Sequence, residues 1–301
     1  MAGAGVRDIL IDGPWRHRDI AANGIRFHVA TGLSTSPDRP LMLLLHGFGQ
    51  FWWAWRHQIP VLDAAGYSVA ALDLRGYGAS DKTPCGYDPR TTAADVAGVI
   101  RSLGYGRAVV VGHDWGGMAG WATSAFAPEQ LSGLVSVSSP HPLAYPWQAD
   151  LATSVFLQLP LLPERRLMAD DGAFVEELLR SRTASGRTFL SEAEARRYRD
   201  ALARWPGPHR ALAYPRRFVR DQLRGDGAAY RRALRVHRRI PLLSVHGSED
   251  RLISRSRMAA AEPYVDAPCA LVTLPGVGHL PPEEAPEELN RVLLSWLPTA
   301  P

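Results

Sequence analysis

The sequence predicts an α/β fold in which a mostly parallel, doubly wound sheet is interrupted by a helical insertion. Three observations lead to this prediction. Short, continuous apolar runs, typical of strands that are covered on both faces, recur along the chain. Segments with helical periodicity alternate with these runs. Between residues 141 and 238 the alternation stops, and only helical patterns remain.

The predicted strands begin with an antiparallel pair. Asn23-Gly24 separates "RHRDIAA" from "IRFHVATG", and Asn-Gly is the strongest short-range signal for a β-hairpin. Six apolar runs predict the remaining strands, at residues 40–47, 67–76, 108–113, 131–139, 240–247 and 270–276. Because helical patterns lie between these later strands, we expect them to pair in parallel.

Helical patterns fill the connections between strands. In the sheet region they cover residues 91–104, the run from residue 118 and residues 285–297. In the insertion they cover residues 151–168, 172–182, 191–205 and 229–239. We therefore predict a core at residues 1–140 and 239–301, with a helical cap at residues 141–238 inserted after the sixth strand. Such a cap usually covers the carboxyl ends of the strands, where ligands bind.

Composition places the chain among globular proteins of one large domain. It has 301 residues, 46% hydrophobic and 21% charged, and a net charge of +4. Two cysteines, no apolar leader and no long apolar run predict a cytoplasmic protein without a membrane span. Basic stretches at residues 215–220 and 231–239 have no accompanying nucleic-acid motif, so we expect solvated helix faces there and no nucleic-acid partner.

The stretch "GHDWGG" (112–117) lies between a predicted strand and a predicted helix. Gly112 and Gly116 flank Asp114 with the spacing of a nucleophile elbow, Gly-x-Ser-x-Gly, whose sharp turn lifts the central side chain above the sheet. The amide of Trp115, at the start of the helix, is then a predicted oxyanion donor. Asp is also a common helix N-cap, so this stretch alone leaves a structural role for Asp114 open.

Three other positions at strand ends complete a possible catalytic site. Phe48 follows the strand that ends in "LLLHG", and its amide is the second predicted oxyanion donor. His279 follows the last predicted strand and is the predicted general base. Asp250, just beyond the strand "LLSVHG", is predicted to orient it. Individually, a histidine is often structural and an aspartate often holds a turn, but their joint placement at strand ends favours catalysis.

These residues resemble the α/β-hydrolase superfamily, specifically its branch of epoxide hydrolases and haloalkane dehalogenases. The order Asp114, Asp250, His279 is the nucleophile–acid–histidine order of that fold. The resemblance covers nearly the whole chain and rests on the motifs "HGFGQFWWAWRHQIP", "LDLRGYGASDK", "GHDWGG", "HGSEDRL" and "GVGHLPPEEAPEEL". Asp-Trp at the elbow occurs in both activities, so it does not separate them.

The resemblance implies a two-step hydrolysis without a metal or an organic cofactor. The Asp114 carboxylate attacks an sp³ carbon and forms an alkyl ester. His279, oriented by Asp250, then activates a water that hydrolyses this ester, while the amides of Phe48 and Trp115 stabilise the oxyanion. Epoxide hydrolysis to a diol is the function we expect.

Epoxide hydrolases also use two cap tyrosines to assist the departing oxygen, and here the match departs from the family. The residues before "SVFLQLP" (154–160) contain no tyrosine. The second tyrosine corresponds to Tyr214, although a shift of one residue places Pro215 there. Tyr214 is the predicted proton donor, with packing as the alternative role. The other cap tyrosines are Tyr145, Tyr198 and Tyr230.

Other functions stay open at this stage. A haloalkane dehalogenase needs N–H donors for the halide, which Trp115 and either Trp147 or Trp205 would supply. An ester or lactone hydrolase is the next alternative, and a non-catalytic ligand-binding homologue is the last. We expect Phe48, Trp115 and Trp147 to contact a hydrophobic small-molecule substrate. Trp52, Trp53 and Trp55 serve either the substrate or the core, and the sequence does not specify an oligomeric state.

Overall fold

The computed structural model describes residues 9–145, 151–222 and 224–297, with the side chains of residues 151–154 left out. The strands are β1 (Arg16–Ala22), β2 (Ile25–Thr31), β3 (Leu41–Leu45), β4 (Ser68–Leu72), β5 (Ala108–His113), β6 (Leu131–Val137), β7 (Leu242–Gly247) and β8 (Cys269–Leu274). The α-helices are α1 (Gln58–Ala64), α2 (Pro89–Ser102), α3 (Trp115–Phe126), α4 (Leu151–Gln158), α5 (Leu162–Met168), α6 (Ala173–Arg182), α7 (Glu192–Ala203), α8 (Gly207–Ala211), α9 (Ala213–Asp221), α10 (Gly225–Leu234), α11 (Arg255–Ala259), α12 (Pro281–Glu284) and α13 (Pro286–Trp296).

The eight strands form one sheet in the order β1-β2-β4-β3-β5-β6-β7-β8. The β1–β2 hairpin turns at Asn23 and Gly24, whose φ values of 45° and 76° are those of a type I′ turn. The β2–β4 pair is also antiparallel, and every later pair is parallel. The predicted α/β-hydrolase fold with a mostly parallel sheet is therefore confirmed.

Helices cover both faces of this sheet, which explains the continuous apolar runs. Successive residues of a strand point to opposite faces. At Gly133 of β6, an added Cβ meets Trp296 of α13, whereas Leu134 contacts Gly120 of α3. Helices α13 and α3 thus lie on opposite faces, and the central strands β3, β4 and β5 are buried throughout.

The tryptophans that follow β3 belong to the core. Trp52 and Trp55 are fully buried, and Trp53 is nearly so. The Trp52 ring packs edge-on against Trp15 and Trp53, and its indole N–H donates to the Ile9 carbonyl at 2.9 Å. The core alternative for these tryptophans is therefore the one that the structure supports.

Between β6 and β7 the chain forms helices α4 to α10, which we call the helical segment. The pattern at residues 151–168 reads as one helix, but the structure has two. Pro160 lies between α4 and α5, and Leu161 adopts a left-handed φ of 64°. Proline lacks the N–H that a continuing helix needs. The proposed boundaries of the core and cap, at 140 and 238, stay a prediction.

The carboxyl ends of the parallel strands meet at one edge of the sheet, as they do in open α/β folds. Phe48 follows β3, Asp114 follows β5, Asp250 follows β7 and His279 follows β8. The parallel strand topology therefore brings these four predicted site residues to the same edge of the sheet. Within the described part of the chain, no helix combines the length and the apolarity needed to cross a membrane.

Candidate active site

Asp114 occupies a strained position between β5 and α3. Its φ of 49° and ψ of −115° lie in a region that residues other than glycine rarely adopt. Hydrogen bonds hold this backbone on both sides: Asp114 N donates to the Val137 carbonyl at 3.1 Å, and Ser139 Oγ donates to the Asp114 carbonyl at 2.8 Å. No cap hydrogen bond from the Asp114 side chain to α3 is present, so its carboxylate does not act as an N-cap.

The glycines of the elbow are required by close backbone contacts. A Cβ on Gly116 would lie 2.1 Å from the Leu45 carbonyl oxygen, and one on Gly112 would lie 2.3 Å from the Gly116 carbonyl oxygen. Both contacts are with backbone atoms that cannot move away without distorting β3 or α3. The spacing read from the sequence therefore reflects a steric constraint.

The loop after β3 donates a backbone amide to the carboxylate. Phe48 N–H binds Asp114 Oδ2 at 3.0 Å, as the oxyanion prediction requires. Gln50 Oε1 accepts a hydrogen bond from Gly47 N at 3.2 Å and lies 3.0 Å from His113 Nδ1, which ties this loop to the end of β5. Of the two predicted donors, only the Phe48 amide bonds to Asp114 in the described chain. Trp115 is the first residue of α3.

His279 and Asp250 form the expected pair beside Asp114. His279 Nδ1 lies 2.8 Å from Asp250 Oδ2, and the other oxygen of Asp250 accepts the amides of Leu252 and Ile253 at 2.8 and 2.9 Å. His279 Nε2 lies 3.8 Å from Asp114 Oδ1 and has no other partner among the described residues. This geometry leaves Nε2 directed toward the carboxyl group of Asp114.

The charges of this cluster are strongly coupled. Burial favours a neutral Asp114, but the neighbouring His279 and Arg182 outweigh it and hold the pKa of this carboxyl far below its ordinary value. Burial alone would lower the pKa of His279, yet the Asp250 and Asp114 carboxylates raise it to about 9. Asp114 is consequently ionised at neutral pH, and His279 carries a proton before any reaction.

A cavity of about 560 Å³ opens between the strand ends and the helical segment. Phe48 and Trp115, the two neighbours of the Asp114 carboxylate, form part of its wall. The remaining wall is mostly apolar and is formed by Tyr145, Phe156, Leu157, Pro163, Arg166, Leu167, Phe174, Leu178, Arg182, Leu212, Pro215, Phe218, Val219 and Leu252. A volume of this size fits a small organic molecule.

The structure does not bring Tyr214 to this cavity. Its hydroxyl is buried and donates to the Arg75 carbonyl at 3.0 Å, and its ring packs on Tyr77 and Tyr87. Pro215 lines the cavity instead, as the alignment shifted by one residue implies. Tyr214 therefore has the packing role, and its prediction as proton donor is not supported by the geometry.

Among the cap tyrosines, Tyr145 lines the cavity. Its ring lies 6.1 Å from Trp115 and 5.2 Å from Phe218. Tyr198 is buried against Glu283, and Tyr230 packs on Phe126. Trp147 lies outside the described residues, and Trp205 is 73% exposed on the surface. Tyr145 was one of several cap tyrosines in the sequence, and no local signal distinguished it.

Arg182, at the end of α6, is a site residue that sequence analysis missed. Its Nη1 lies 3.6 Å from Asp114 Oδ2, and its side chain lines the cavity. Phe174, Leu178 and Arg182 are four residues apart and share one face of α6 toward the cavity. That spacing is visible in the sequence, but the direction of the face is not.

The described residues contain no group of three or more His, Cys, Asp or Glu side chains arranged to hold a metal ion. The charged groups nearest to Asp114 are instead the protonatable His279 and the guanidinium of Arg182. The arrangement therefore presents one ionised carboxylate, one histidine–aspartate pair and one backbone amide donor at the end of an apolar cavity. These groups suit nucleophilic attack on a carbon, followed by base-assisted hydrolysis.

Known proteins are similar to this chain in sequence and in fold. The model of the alpha/beta hydrolase family matches residues 42–292. Epoxide hydrolase 3 of Xenopus tropicalis is 32% identical over 289 residues, which cover 91% of this chain and 75% of that protein. The AB hydrolase superfamily protein YfhM of Bacillus subtilis is 33% identical over 294 residues, which cover 92% of this chain and 96% of that protein.

A solved structure of an epoxide hydrolase from an endophytic Streptomyces has a TM-score of 0.80 at 27% identity. The match covers 95% of this chain and 96% of that one. The similarity therefore includes the helical segment as well as the sheet, since neither chain has a large unmatched part. By its family match, its relatives and its fold, the chain belongs to the alpha/beta hydrolase family and is an epoxide hydrolase-like enzyme.

Proposed function

We propose that this enzyme hydrolyses epoxides to diols through an ester formed on Asp114. The observation that carries the proposal is the ionised carboxylate at the elbow, with one oxygen 3.0 Å from the Phe48 amide and the other 3.8 Å from His279 Nε2. A carboxylate in this position is suited to attack an sp³ carbon, because it displaces an oxygen or a halide without needing a base. The ester that forms then faces a histidine.

In the first step, an Asp114 oxygen forms a bond to an epoxide carbon, and the bond from that carbon to the epoxide oxygen breaks. The alkoxide takes a proton from the Tyr145 hydroxyl, which lines the same cavity. Burial raises the pKa of Tyr145, and the Asp114 carboxylate raises it further, so this hydroxyl holds its proton at neutral pH until an alkoxide forms. Tyr145 replaces Tyr214 in this role.

In the second step, His279 removes a proton from water, whose oxygen bonds to the carboxyl carbon of the ester. The bond between that carbon and the oxygen attached to the substrate then breaks, and the departing diol oxygen takes the proton that His279 removed from water. The proton of the regenerated Asp114 carboxyl group returns to the Tyr145 oxygen. Esterification neutralises Asp114, which is one of the two carboxylates that raise the His279 pKa. With this charge removed, the His279 pKa falls, and His279 gives its proton to solvent before it acts as the base. The oxyanion forms at Oδ2, where Phe48 N–H is already in place, and the Trp115 amide is the second donor.

The proposal is tested by trapping the ester. In a His279→Gln variant, Asp114 can attack but the ester persists. Incubation with styrene oxide should add the mass of the whole substrate, because the epoxide oxygen stays attached to carbon. With 1-bromohexane, the alternative dehalogenase reaction would add the substrate mass less hydrogen bromide. Intact-protein mass spectrometry measures both, and peptide mapping should place the adduct on Asp114.

The double variant Asp114→Asn/His279→Gln is the control and should form no adduct. An adduct on a hydroxyl would instead favour an ester or lactone hydrolase. Ser80 is not such a nucleophile, because its Oγ is buried, donates to the Asp73 carbonyl at 2.6 Å and accepts from His28 N at 2.9 Å. Absence of any adduct, with the fold still stabilised by ligands, would favour a binding protein.

A further inference from the structure

Among the residues that the structure describes, the wall of the cavity carries positive charge without a matching acid. Its two charged wall residues are Arg166 and Arg182, and all the others named above are uncharged. Arg166 pairs with the exposed Glu177 at 3.6 Å and stacks over Phe174 near the start of α6. Arg182 lies at the other end of α6, beside the nucleophile. An apolar cavity therefore has a guanidinium at its reactive end.

The backbone of Arg182 is fixed against the catalytic histidine. Its carbonyl accepts the His279 amide at 2.8 Å. The Glu284 carboxylate accepts the amides of Gly278 and Leu280, which flank His279, and that of Ala184, at 2.8, 2.9 and 2.8 Å. These contacts hold the end of α6 and the His279 loop together. The same backbone contacts that hold the His279 loop therefore place Arg182 near Asp114.

The guanidinium of Arg182 is only loosely paired. Its one acidic partner in the described chain is Asp114, at 3.6 Å, which is longer than a hydrogen bond. Two other arginines of the helical segment bind an acid closely: Arg180 lies 2.8 Å and Arg199 2.6 Å from Glu176. A guanidinium has five N–H donors in a planar fork. With no side-chain hydrogen bond to another described residue, Arg182 has N–H donors available where its side chain lines the cavity.

We propose that Arg182 binds a carboxylate of the substrate, so that the enzyme acts on epoxides whose ring carbon is one or two bonds from an acid group. This inference rests on the proposed function. A carboxylate oxygen hydrogen-bonded to Arg182 Nη1 lies within about 6.5 Å of the Asp114 oxygen, since one hydrogen bond of about 2.9 Å is added to the 3.6 Å separation. The cation also reduces the repulsion between an anionic substrate and the anionic nucleophile.

The experiment compares trans-3-phenylglycidate with the neutral 3-phenylglycidol, which has the same ring and aryl group. The measured quantity is the ratio of kcat/KM for the acid to that for the alcohol. We expect the wild-type ratio to exceed 1, and Arg182→Gln to reduce it about 10- to 100-fold, mainly through KM, because a hydrogen-bonded charge is lost. Arg182→Lys should fall between them, since it retains the charge but not the fork.

Arg180→Gln is the matched control on the same helix, because Arg180 is 51% exposed and pairs with Glu176 away from the cavity wall. It should leave the ratio at the wild-type value. A wild-type ratio of 1 or less overturns the proposal. So does a ratio that persists in Arg182→Gln, and a fall caused only by Arg166→Gln would assign the carboxylate to Arg166.

A binding measurement separates this inference from the proposed function. Calorimetry with the unreactive 3-phenylpropanoate and 3-phenylpropanamide needs no chemistry. Wild-type enzyme should bind the acid more tightly than the amide, and Arg182→Gln should lose that preference. If the acid preference holds in binding but no epoxide forms an ester on Asp114, then the proposed function fails and the anion site stands. If esters form but neither binding nor turnover prefers the acid, then the anion site fails alone.

Discussion

Two buried carboxylates, Asp73 in the sheet region and Glu164 in the helical segment, are held in different ways. In the sheet region, buried Asp73 accepts the backbone amides of Trp52 and Ala79 at 2.8 and 2.9 Å and pairs with His28. In the helical segment, buried Glu164 is held by the side chain of Arg216 through two hydrogen bonds of 2.5 and 3.0 Å. Backbone amides are placed by strand and loop geometry, whereas side-chain pairs depend on two particular residues far apart in sequence.

The active site shows the same division. The core supplies Asp114 at the elbow, the Phe48 amide, Asp250, which accepts two backbone amides, and His279, which pairs with Asp250. Tyr145, in the connection between β6 and α4, and the guanidinium of Arg182, in the helical segment, contribute through their side chains. We infer from this comparison that the core residues set the type of reaction. Tyr145 and Arg182 would then decide whether a departing oxygen is protonated and which substrate binds.

The largest expected effect is on the stability of the segment. Among the described residues, Glu164→Ala leaves the buried Arg216 cation with the Leu157 and Leu159 carbonyls as its partners. Removing one member of such a pair costs about 3–5 kcal/mol. We expect the segment to open at lower urea concentration than the sheet, with activity lost before most of the circular dichroism signal.

Glu177→Ala is the matched control, because its pair with Arg166 is 3.6 Å long and both side chains are more than half exposed. It should cost less than about 1 kcal/mol. Coincident loss of activity and of secondary structure in Glu164→Ala would show that the segment and the sheet unfold as one unit, and the comparison would then break down.

The next effect concerns ring opening. Tyr145→Phe should slow the formation of the Asp114 ester by about 10²–10⁴-fold, the usual contribution of a general acid, and should leave hydrolysis of the ester unchanged. Stopped-flow tryptophan fluorescence in the His279→Gln background measures the first step alone. Tyr214→Phe is the control: it removes the hydrogen bond to the Arg75 carbonyl, which costs about 1 kcal/mol of stability, but it should not slow alkylation. The reverse result would return the donor role to Tyr214.

The smallest effect is on pH dependence, and it separates the two steps. Alkylation needs ionised Asp114, whose pKa is lowered, so its rate should be flat from pH 5 to 9. Ester hydrolysis needs neutral His279, and its rate should fall about tenfold per pH unit below the pKa of His279 in the ester. That pKa should lie below the value of about 9 in the free enzyme, because esterification removes the Asp114 charge.

Single-turnover measurements follow both steps in the same trace, so alkylation is the internal control. Asp250→Asn should move the hydrolysis profile to lower pH, since the carboxylate that most raises the His279 pKa is removed. An ester hydrolysis rate that does not change between pH 5 and 9 would contradict His279 as the base. In that case the core would not supply the whole hydrolytic step.

Local sequence signals were sufficient wherever a residue's role depends on the backbone next to it. The Asn23-Gly24 turn, the eight strands and the elbow glycines are read from adjacent residues, and the structure has each of them. By contrast, helix α8 was not recognised, because Pro206 and Pro208 interrupt its pattern, and α9 was expected only as a helix face at residues 215–220. The break between α4 and α5 was missed since the apolar pattern continues through Pro160.

By itself, the sequence determined the fold, the Asp114 carboxylate at the elbow and the placement of Phe48, Asp250 and His279 at strand ends, because parallel topology brings those ends together whatever the rest of the chain does. The tertiary structure decided the residues that the helical segment contributes. One residue turns a helix side chain by about 100°, so Pro215 faces the cavity while Tyr214 faces Arg75. Arg182 reaches Asp114 only because α6 docks on the His279 loop, a long-range contact that no local pattern encodes.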